Sequence, residues 1–325
     1  MEQRRISVIE AMRGLAAMSV ALFHFSVRLD IAARDAFFYG WIGVDVFFVI
    51  SGFVIPLSLY GRGYTIAQFP QFMMRRLVRL EPPYLVSIIL VLAVWHLSTL
   101  MTGPTASAPD YSWPQIASHL LYAVPLTPFS WISPVYWSLA YEFVFYIVAG
   151  LTFASLIRRP IEWTVLLAAT ITALLYWVEA GFDVCIVEFL IGIIVMRIVT
   201  REGSRSRLLF WLCTSIGVAF YTAGPWVGTA VGLAAAAILL LRDVQLGRWA
   251  IVAGSLSYSL YLTHTAIGMP IVDLAKDYVK GLHSEVVLMI AALVASIGFA
   301  YLFSRLVERP SIRASRHIAM QPQAA

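Results

Sequence analysis

Residues 40–60 read Gly40-Trp41-Ile42-Gly43-Val44-Asp45-Val46-Phe47-Phe48-Val49-Ile50-Ser51-Gly52-Phe53-Val54-Ile55-Pro56-Leu57-Ser58-Leu59-Tyr60. The run carries a single charged side chain, the Asp45 carboxylate. About 20 mostly apolar residues are what an α-helix needs to cross the hydrocarbon core of a bilayer. We therefore interpret the run as a membrane span.

Nine further stretches have the same character, which predicts an all-α polytopic membrane protein. Of the 325 residues 60% are apolar and only 13% are charged, whereas a soluble domain has about 45–50% and about 25%. This composition excludes a typical cytosolic enzyme, a disordered chain and a disulfide scaffold. The ten predicted spans are roughly 8–28, 40–60, 83–101, 136–157, 161–179, 183–200, 207–222, 225–241, 249–272 and 286–306.

The basic residues predict the orientation of the chain. The net charge is +5, and the 23 Lys and Arg residues fall mainly in short segments between the apolar runs. With a cytoplasmic N-terminus, 19 of the 23 lie inside, a strong positive-inside bias. We therefore expect both termini in the cytoplasm, an external loop at 102–135, a lipid bilayer rather than nucleic acid as partner, one transmembrane domain over 1–310 and a short cytoplasmic tail at 311–325.

Five ionisable residues fall in the outer half of the predicted spans. An ionisable group at mid-bilayer costs at least about 2.5–3.5 kcal/mol, so each one indicates a function by default. Their similar depths predict one shared polar cavity. A structural role remains the alternative for each: hydrogen-bonded packing for a histidine, helix capping for Asp45, and plain burial for Glu188, the weakest candidate. The five residues are His24, Asp45, Glu142, Glu188 and His264.

A basic cluster of Arg75, Arg76 and Arg79 precedes Pro82 and Pro83. The segment predicts an amphipathic helix lying at the cytoplasmic interface. The arginines either hold this loop inside and contact lipid phosphates, or bind a phosphorylated cytoplasmic ligand through forked guanidinium groups.

Arg13 and His24 connect the two groups of residues because they are 11 positions apart on one helix. Eleven steps return to within ~20° of the same face and rise about 16 Å. A long, thin ligand could bridge them, with phosphates at one end and a thioester at the other, as in the pantetheine arm of coenzyme A.

Six sequence blocks resemble those of the membrane acyltransferase family 3. One departure is Tyr141 before Glu142, where many members carry a second acid. The blocks are Arg13 with His24, Gly43-Val44-Asp45-Val46-Phe47-Phe48-Val49-Ile50-Ser51-Gly52-Phe53, Arg75-Arg76-Leu77-Val78-Arg79-Leu80-Glu81-Pro82-Pro83-Tyr84, Trp137-Ser138-Leu139-Ala140-Tyr141-Glu142-Phe143-Val144-Phe145-Tyr146, Ser257-Tyr258-Ser259-Leu260-Tyr261-Leu262-Thr263-His264, and Glu308-Arg309-Pro310.

The resemblance implies an O-acyltransferase of a bacterial cytoplasmic (inner) membrane. Its donor would be cytoplasmic acyl-CoA, usually acetyl-CoA. Its acceptor would be a hydroxyl group of an extracytoplasmic polysaccharide or small molecule. We expect no metal and no tightly bound prosthetic group. The acceptor, the acyl chain and the oligomeric state stay open.

The resemblance also implies roles for individual residues. His24 is either the general base or a nucleophile that forms an acyl-imidazole, and Asp45 would orient it. Glu142 would position the acceptor or assist a proton transfer. The alternative function is a proton-coupled transporter or flippase, with the buried acids and histidines as a proton relay. The remaining candidates are Arg13, Arg75, Arg76 and Arg79 for the CoA phosphates, and Tyr146, Tyr258 and His264 for the substrate cavity.

Overall fold

The computed structural model describes residues 6–102, 111–177 and 185–318, and every regular element in these ranges is helical. Long apolar runs form the helices, and short polar or glycine-containing segments connect them. The helices are α1 Ser7–Ser26, α2 Ile31–Phe37, α3 Gly43–Tyr60, α4 Phe69–Thr102, α5 Trp113–Leu120, α6 Tyr136–Arg158, α7 Ile161–Trp177, α8 Ile186–Thr200, α9 Arg205–Thr222, α10 Pro225–Leu241, α11 Arg248–Ala275, α12 Leu282–Phe303 and α13 Arg309–Arg316.

Each of the ten predicted spans coincides with one of these helices, although parts of 161–179 and 183–200 lie outside the described residues. Among the described residues, five helical segments are long and apolar enough to cross a membrane, and two shorter ones are apolar. The count of ten and the orientation of the termini stay predictions. The five segments are Ser7–Ser26, Ala32–Tyr60, Ile66–Leu100, Tyr136–Arg158 and Leu282–Arg316.

Helix α4 differs from the expectation of a separate interfacial helix before Pro82 and Pro83. It is one continuous helix through both prolines. Prolines remove backbone donors and open a helix. Here the Tyr258 hydroxyl of α11 donates to the Leu80 carbonyl at 3.0 Å, beside the prolines. This tertiary contact supports the helix there, so its arginines are held within the bundle.

Two close helix pairs build the centre of the molecule. Helices α1 and α11 run parallel: a Cβ on Gly14 would overlap Ala253 near one end, and one on Gly268 would overlap the Phe25 ring near the other. In the second pair, α3 and α8 cross so closely that a Cβ on Gly192 would overlap the Val49 carbonyl. Small residues permit this close backbone approach.

The C-terminal end folds back onto α4. After α12, residues Ser304–Glu308 form a π-helical turn and α13 follows directly. A π-helical turn shifts the face that a helix presents. Helix α13 packs against α4, so the first residues of the segment predicted as a tail, 311–316, belong to a packed helix; residues 319–325 lie outside the described ranges.

Candidate active site

A cavity of about 690 Å³ lies among the first turns of α1, α4 and α11, the end of α3, and α13. We call it the vestibule. Glu10 and Glu308 are its two carboxylates. Its eight arginines are Arg13, Arg62, Arg75, Arg76, Arg79, Arg309, Arg313 and Arg316.

No vestibule arginine forms a salt bridge with a carboxylate of the described residues. Among the described residues the salt bridges involve only Arg28, Arg242 and Lys276. Like charges are also close, since Arg75 lies within electrostatic range of both Arg62 and Arg316. Arginine clusters of this kind bind phosphates and carboxylates through charge-assisted hydrogen bonds. The vestibule is therefore suited to an anion.

A smaller cavity of about 110 Å³, the chamber, continues from the vestibule and shares Arg13, Arg76, Arg79 and Glu308 with it. The wall of the chamber carries both polar and aromatic side chains. Its other lining residues include Ser51, Ser138, Glu142, Tyr146, Tyr258 and Tyr261.

Glu142 is held by two side-chain hydrogen bonds in the chamber. Its Oε1 accepts hydrogen bonds from the Tyr146 hydroxyl at 2.5 Å and from the Ser51 hydroxyl at 3.0 Å. The Arg76 guanidinium lies 5.3 Å from the centroid of the Tyr146 ring, which is cation–π distance. Glu142 is thus tied to the arginine end of the chamber by two hydroxyls and a stacked guanidinium.

His24 of α1 and His264 of α11 form a pair, with His24 Nδ1 3.2 Å from His264 Nε2. Each Nδ1 also faces a backbone carbonyl, that of Val20 at 2.9 Å and that of Leu260 at 3.0 Å. Because a carbonyl only accepts, we assign the proton to Nδ1 in both rings. His264 Nε2 is then an acceptor, and no described residue hydrogen-bonds His24 Nε2, which keeps a lone pair for chemistry.

Tyr261 lies between the chamber and the histidine pair. It lines the chamber, and its ring centroid is 6.1 Å from that of His264 and 5.8 Å from that of Phe47. Its hydroxyl contacts the Ser138 hydroxyl at 2.6 Å and the Val135 carbonyl at 3.1 Å. These contacts fix the ring at the end of the chamber opposite the vestibule, and neither His24 nor His264 lines the chamber itself.

The expectation that Asp45 orients His24 is wrong. The hydrogen-bond partners of the His24 ring are Val20 and His264. Asp45 is buried, its Oδ2 has no partner among the described residues, and it lies within electrostatic range of Glu188 instead. His264 therefore takes the position that the sequence had suggested for the aspartate.

The prediction that the five ionisable groups share one cavity is also wrong. Glu142 lines the chamber, and the histidine pair lies beyond Tyr261. Asp45 and Glu188 lie within electrostatic range of each other on α3 and α8, which pack together. Sequence gives the depth of a residue in a helix. The neighbour that each helix face meets depends on helix packing. The packing separates these residues of similar depth into three different surroundings.

Sequence reasoning missed several lining residues. Ser51, Tyr261 and Glu308 stand in the quoted blocks, but no role was drawn for them. The arginines of α13 were counted only as topological charges. Their spacing held a usable signal, because positions i, i+4 and i+7 share one helix face.

A comparison with protein-family models gives one match, to the acyltransferase domain of family 3, over residues 6–305. No curated protein and no solved structure matches the chain. The matched range contains the chamber lining up to α12, the histidine pair and five of the eight vestibule arginines. With its apolar helices, the chain is an integral membrane protein that belongs to the acyltransferase family 3.

Proposed function

We propose that the protein is a membrane O-acyltransferase that moves an acyl group, acetyl in the simplest case, from cytoplasmic acyl-CoA to a hydroxyl group of an extracytoplasmic acceptor. The observation that carries the proposal is the vestibule. Eight arginines, none of them in a salt bridge with a described carboxylate, line a cavity that leads through a polar chamber toward an imidazole with a usable lone pair.

The donor would enter from the vestibule. Arg13, Arg75, Arg76 and Arg79 would hold the CoA phosphates, and the pantetheine arm would extend through the chamber. Arg13 and His24 are 11 residues apart on α1, a rise of about 16 Å. The extended arm fits this separation, so the thioester would reach the histidine pair near Tyr261.

His24 would act as the general base. Its Nε2 takes the proton of the acceptor hydroxyl while the hydroxyl oxygen attacks the thioester carbonyl. The C–S bond then breaks, and the thiolate recovers the proton as free CoA. The Val20 carbonyl and His264 Nε2 accept from Nδ1–H and so favour the imidazolium that forms. An acyl-imidazole on Nε2 would use the same lone pair.

On the acceptor side we propose a hydroxyl of a cell-surface or exported polysaccharide, or of a small molecule, at a bacterial inner membrane. Glu142, Tyr146 and Tyr258 would line the path of the reacting groups. Their cluster of hydroxyls and one carboxylate suits a polar acyl donor arm or a sugar hydroxyl.

The decisive experiment uses inverted membrane vesicles that enclose candidate acceptors and receive acyl-labelled acetyl-CoA from the medium. We expect label in a glycan or small molecule with the native protein and none with His24→Ala at equal expression. His96→Ala is the matched control, because His96 is exposed on α4, and should transfer normally. Full transfer by a folded His24→Ala protein would refute the role of His24. If the native protein shows no label transfer and no CoA release, the acyltransferase is refuted. Uptake of an acceptor would then favour the transporter.

A further inference from the structure

The arginines of α13 form a group distinct from those of α4. Arg309, Arg313 and Arg316 project from one face of α13 into the vestibule, with Ile312 between them. Arg313 and Arg316 are exposed and Arg309 is half-buried. Helix α13 packs on α4, and Arg316 lies within electrostatic range of Arg75. The two rows of guanidinium groups therefore line one opening from two helices.

The positive charges are ordered along the cavities. Arg13, Arg76 and Arg79 line both the vestibule and the chamber, so they mark the deep end. The other five line the vestibule alone: Arg62, Arg75, Arg309, Arg313 and Arg316. Of these, Arg62, Arg313 and Arg316 are exposed and mark its mouth. A ligand that fills both cavities would thus meet two successive groups of guanidinium groups.

Acyl-CoA is laid out in the same order, with an uncharged end followed by two anionic groups. The thioester comes first, then the pantetheine arm, then the diphosphate, and last the 3′-phosphate of the ribose. With the thioester toward the chamber, the diphosphate would meet the deep arginines. The 3′-phosphate would meet the mouth, where forked guanidinium groups suit a phosphomonoester.

Anionic lipid headgroups offer the same phosphate chemistry, and Arg305 serves as a comparison because it lies outside the vestibule. It is exposed one turn before α13, stacks on Tyr301 at 5.0 Å and does not line the vestibule. Arg313 and Arg316, in contrast, face the cavity and other arginines. This difference favours a soluble anion within the vestibule over a lipid.

We propose, on the basis of the proposed function, that Arg313 and Arg316, together with Arg62, bind the ribose 3′-phosphate of the acyl-CoA donor. The site selects donors that carry this phosphomonoester. It adds a second phosphate subsite to the one formed by the α4 arginines.

The test compares the dissociation constants of CoA and 3′-dephospho-CoA, measured by calorimetry on protein in phosphatidylcholine nanodiscs. We expect the native protein to bind CoA about tenfold or more tightly than the dephospho compound. The double variant Arg313→Gln/Arg316→Gln should bind both equally, with a native affinity for 3′-dephospho-CoA that also shows it is folded. Arg305→Gln should keep the native ratio.

Other results would overturn the proposal in distinguishable ways. If the double variant keeps the native ratio of the two dissociation constants, the α13 arginines do not bind the 3′-phosphate. Equal losses for both compounds, seen only in nanodiscs that contain phosphatidylglycerol, assign the arginines to lipid. A native protein that binds neither compound refutes the proposed function itself. Without any substitution, adenosine 3′,5′-bisphosphate should compete with CoA better than adenosine 5′-monophosphate does, and equal competition would contradict the subsite.

Discussion

At the scale of single residues, the neighbours of His24 determine its chemistry. A buried imidazole that must gain a proton needs an acceptor for its other N–H. In many hydrolases this acceptor is a carboxylate. Here the described partners are the Val20 carbonyl and the Nε2 atom of His264. Neutral partners stabilise an imidazolium less than a carboxylate does.

Substitutions of His264 should therefore change transfer more than substitution of Asp45. His264→Gln retains an acceptor for His24 Nδ1–H and should keep part of the activity, whereas His264→Leu removes the acceptor and should lose more. Asp45→Asn should leave the pH profile of transfer unchanged, because Asp45 does not contact the imidazole. Initial rates over a pH series test this. A shifted profile in Asp45→Asn alone would return the orienting role to the aspartate.

At the scale of elements, the α3–α8 crossing depends on the absence of side chains. A Cβ at Gly192 would meet the backbone of α3 at Val49 and Gly52. Overpacking of this kind typically costs about 1–3 kcal/mol. Gly192→Ala should lower the Tm in detergent by several degrees. Gly217→Ala on α9 is the matched control, since nothing lies within 4 Å of its Cβ position. An unchanged Tm in Gly192→Ala would show that the helices can separate freely.

The segment between α5 and α6 should respond to pH through His119. Its Nδ1 donates to the Gln115 carbonyl at 2.9 Å, and its Nε2 accepts from the Ile132 amide at 3.0 Å. Burial lowers the pKa of His119 from the ordinary value of about 6.5. The neutral ring is thus favoured in the folded state, and its stabilisation is complete above about pH 6.5 and is lost as the pH falls below it.

Hydrogen exchange of the peptide that contains Ile132, corrected for the intrinsic pH dependence, measures this effect. Protection should fall between about pH 7 and pH 5 in the native protein. His119→Gln should remove the pH dependence, while the exposed His96→Gln should retain it. Constant protection in the native protein would contradict the assigned tautomer.

At the scale of the whole molecule, the positive-inside rule predicts which loops face the cytoplasm. We expect an impermeant maleimide to label Lys280→Cys in intact spheroplasts and Ser206→Cys in inverted vesicles, both in a Cys213→Ser background. Both positions are exposed, as is Cys213, whereas Cys185 is buried. The opposite labelling pattern would show that the chain has the reverse orientation. The vestibule would then face the outside, where no acyl-CoA is available.

The sequence predicted the helices well because long apolar runs determine them locally, and each predicted span has its helix. The continuity of α4 could not be predicted, because prolines commonly end or kink a helix and the supporting contact at Leu80 comes from Tyr258 of a distant helix. The clustering of Arg75, Arg76 and Arg79 was visible in the sequence. The pairing of His24 with His264 rather than Asp45 was not visible, because helix packing determines which faces meet.

The ring contact between Phe47 and Tyr261 has a consequence for the permeability of the membrane. A catalyst that is open to both compartments would form a pore and dissipate the proton-motive force. Tyr261, held by Ser138 and by the Val135 carbonyl, ends the chamber before the histidine pair. A thin acyl-bearing arm could pass beside such a plug while a continuous column of water is interrupted. Under the proposed function, the protein could then transfer an acyl group from an internal donor to an external acceptor without letting protons leak across the membrane.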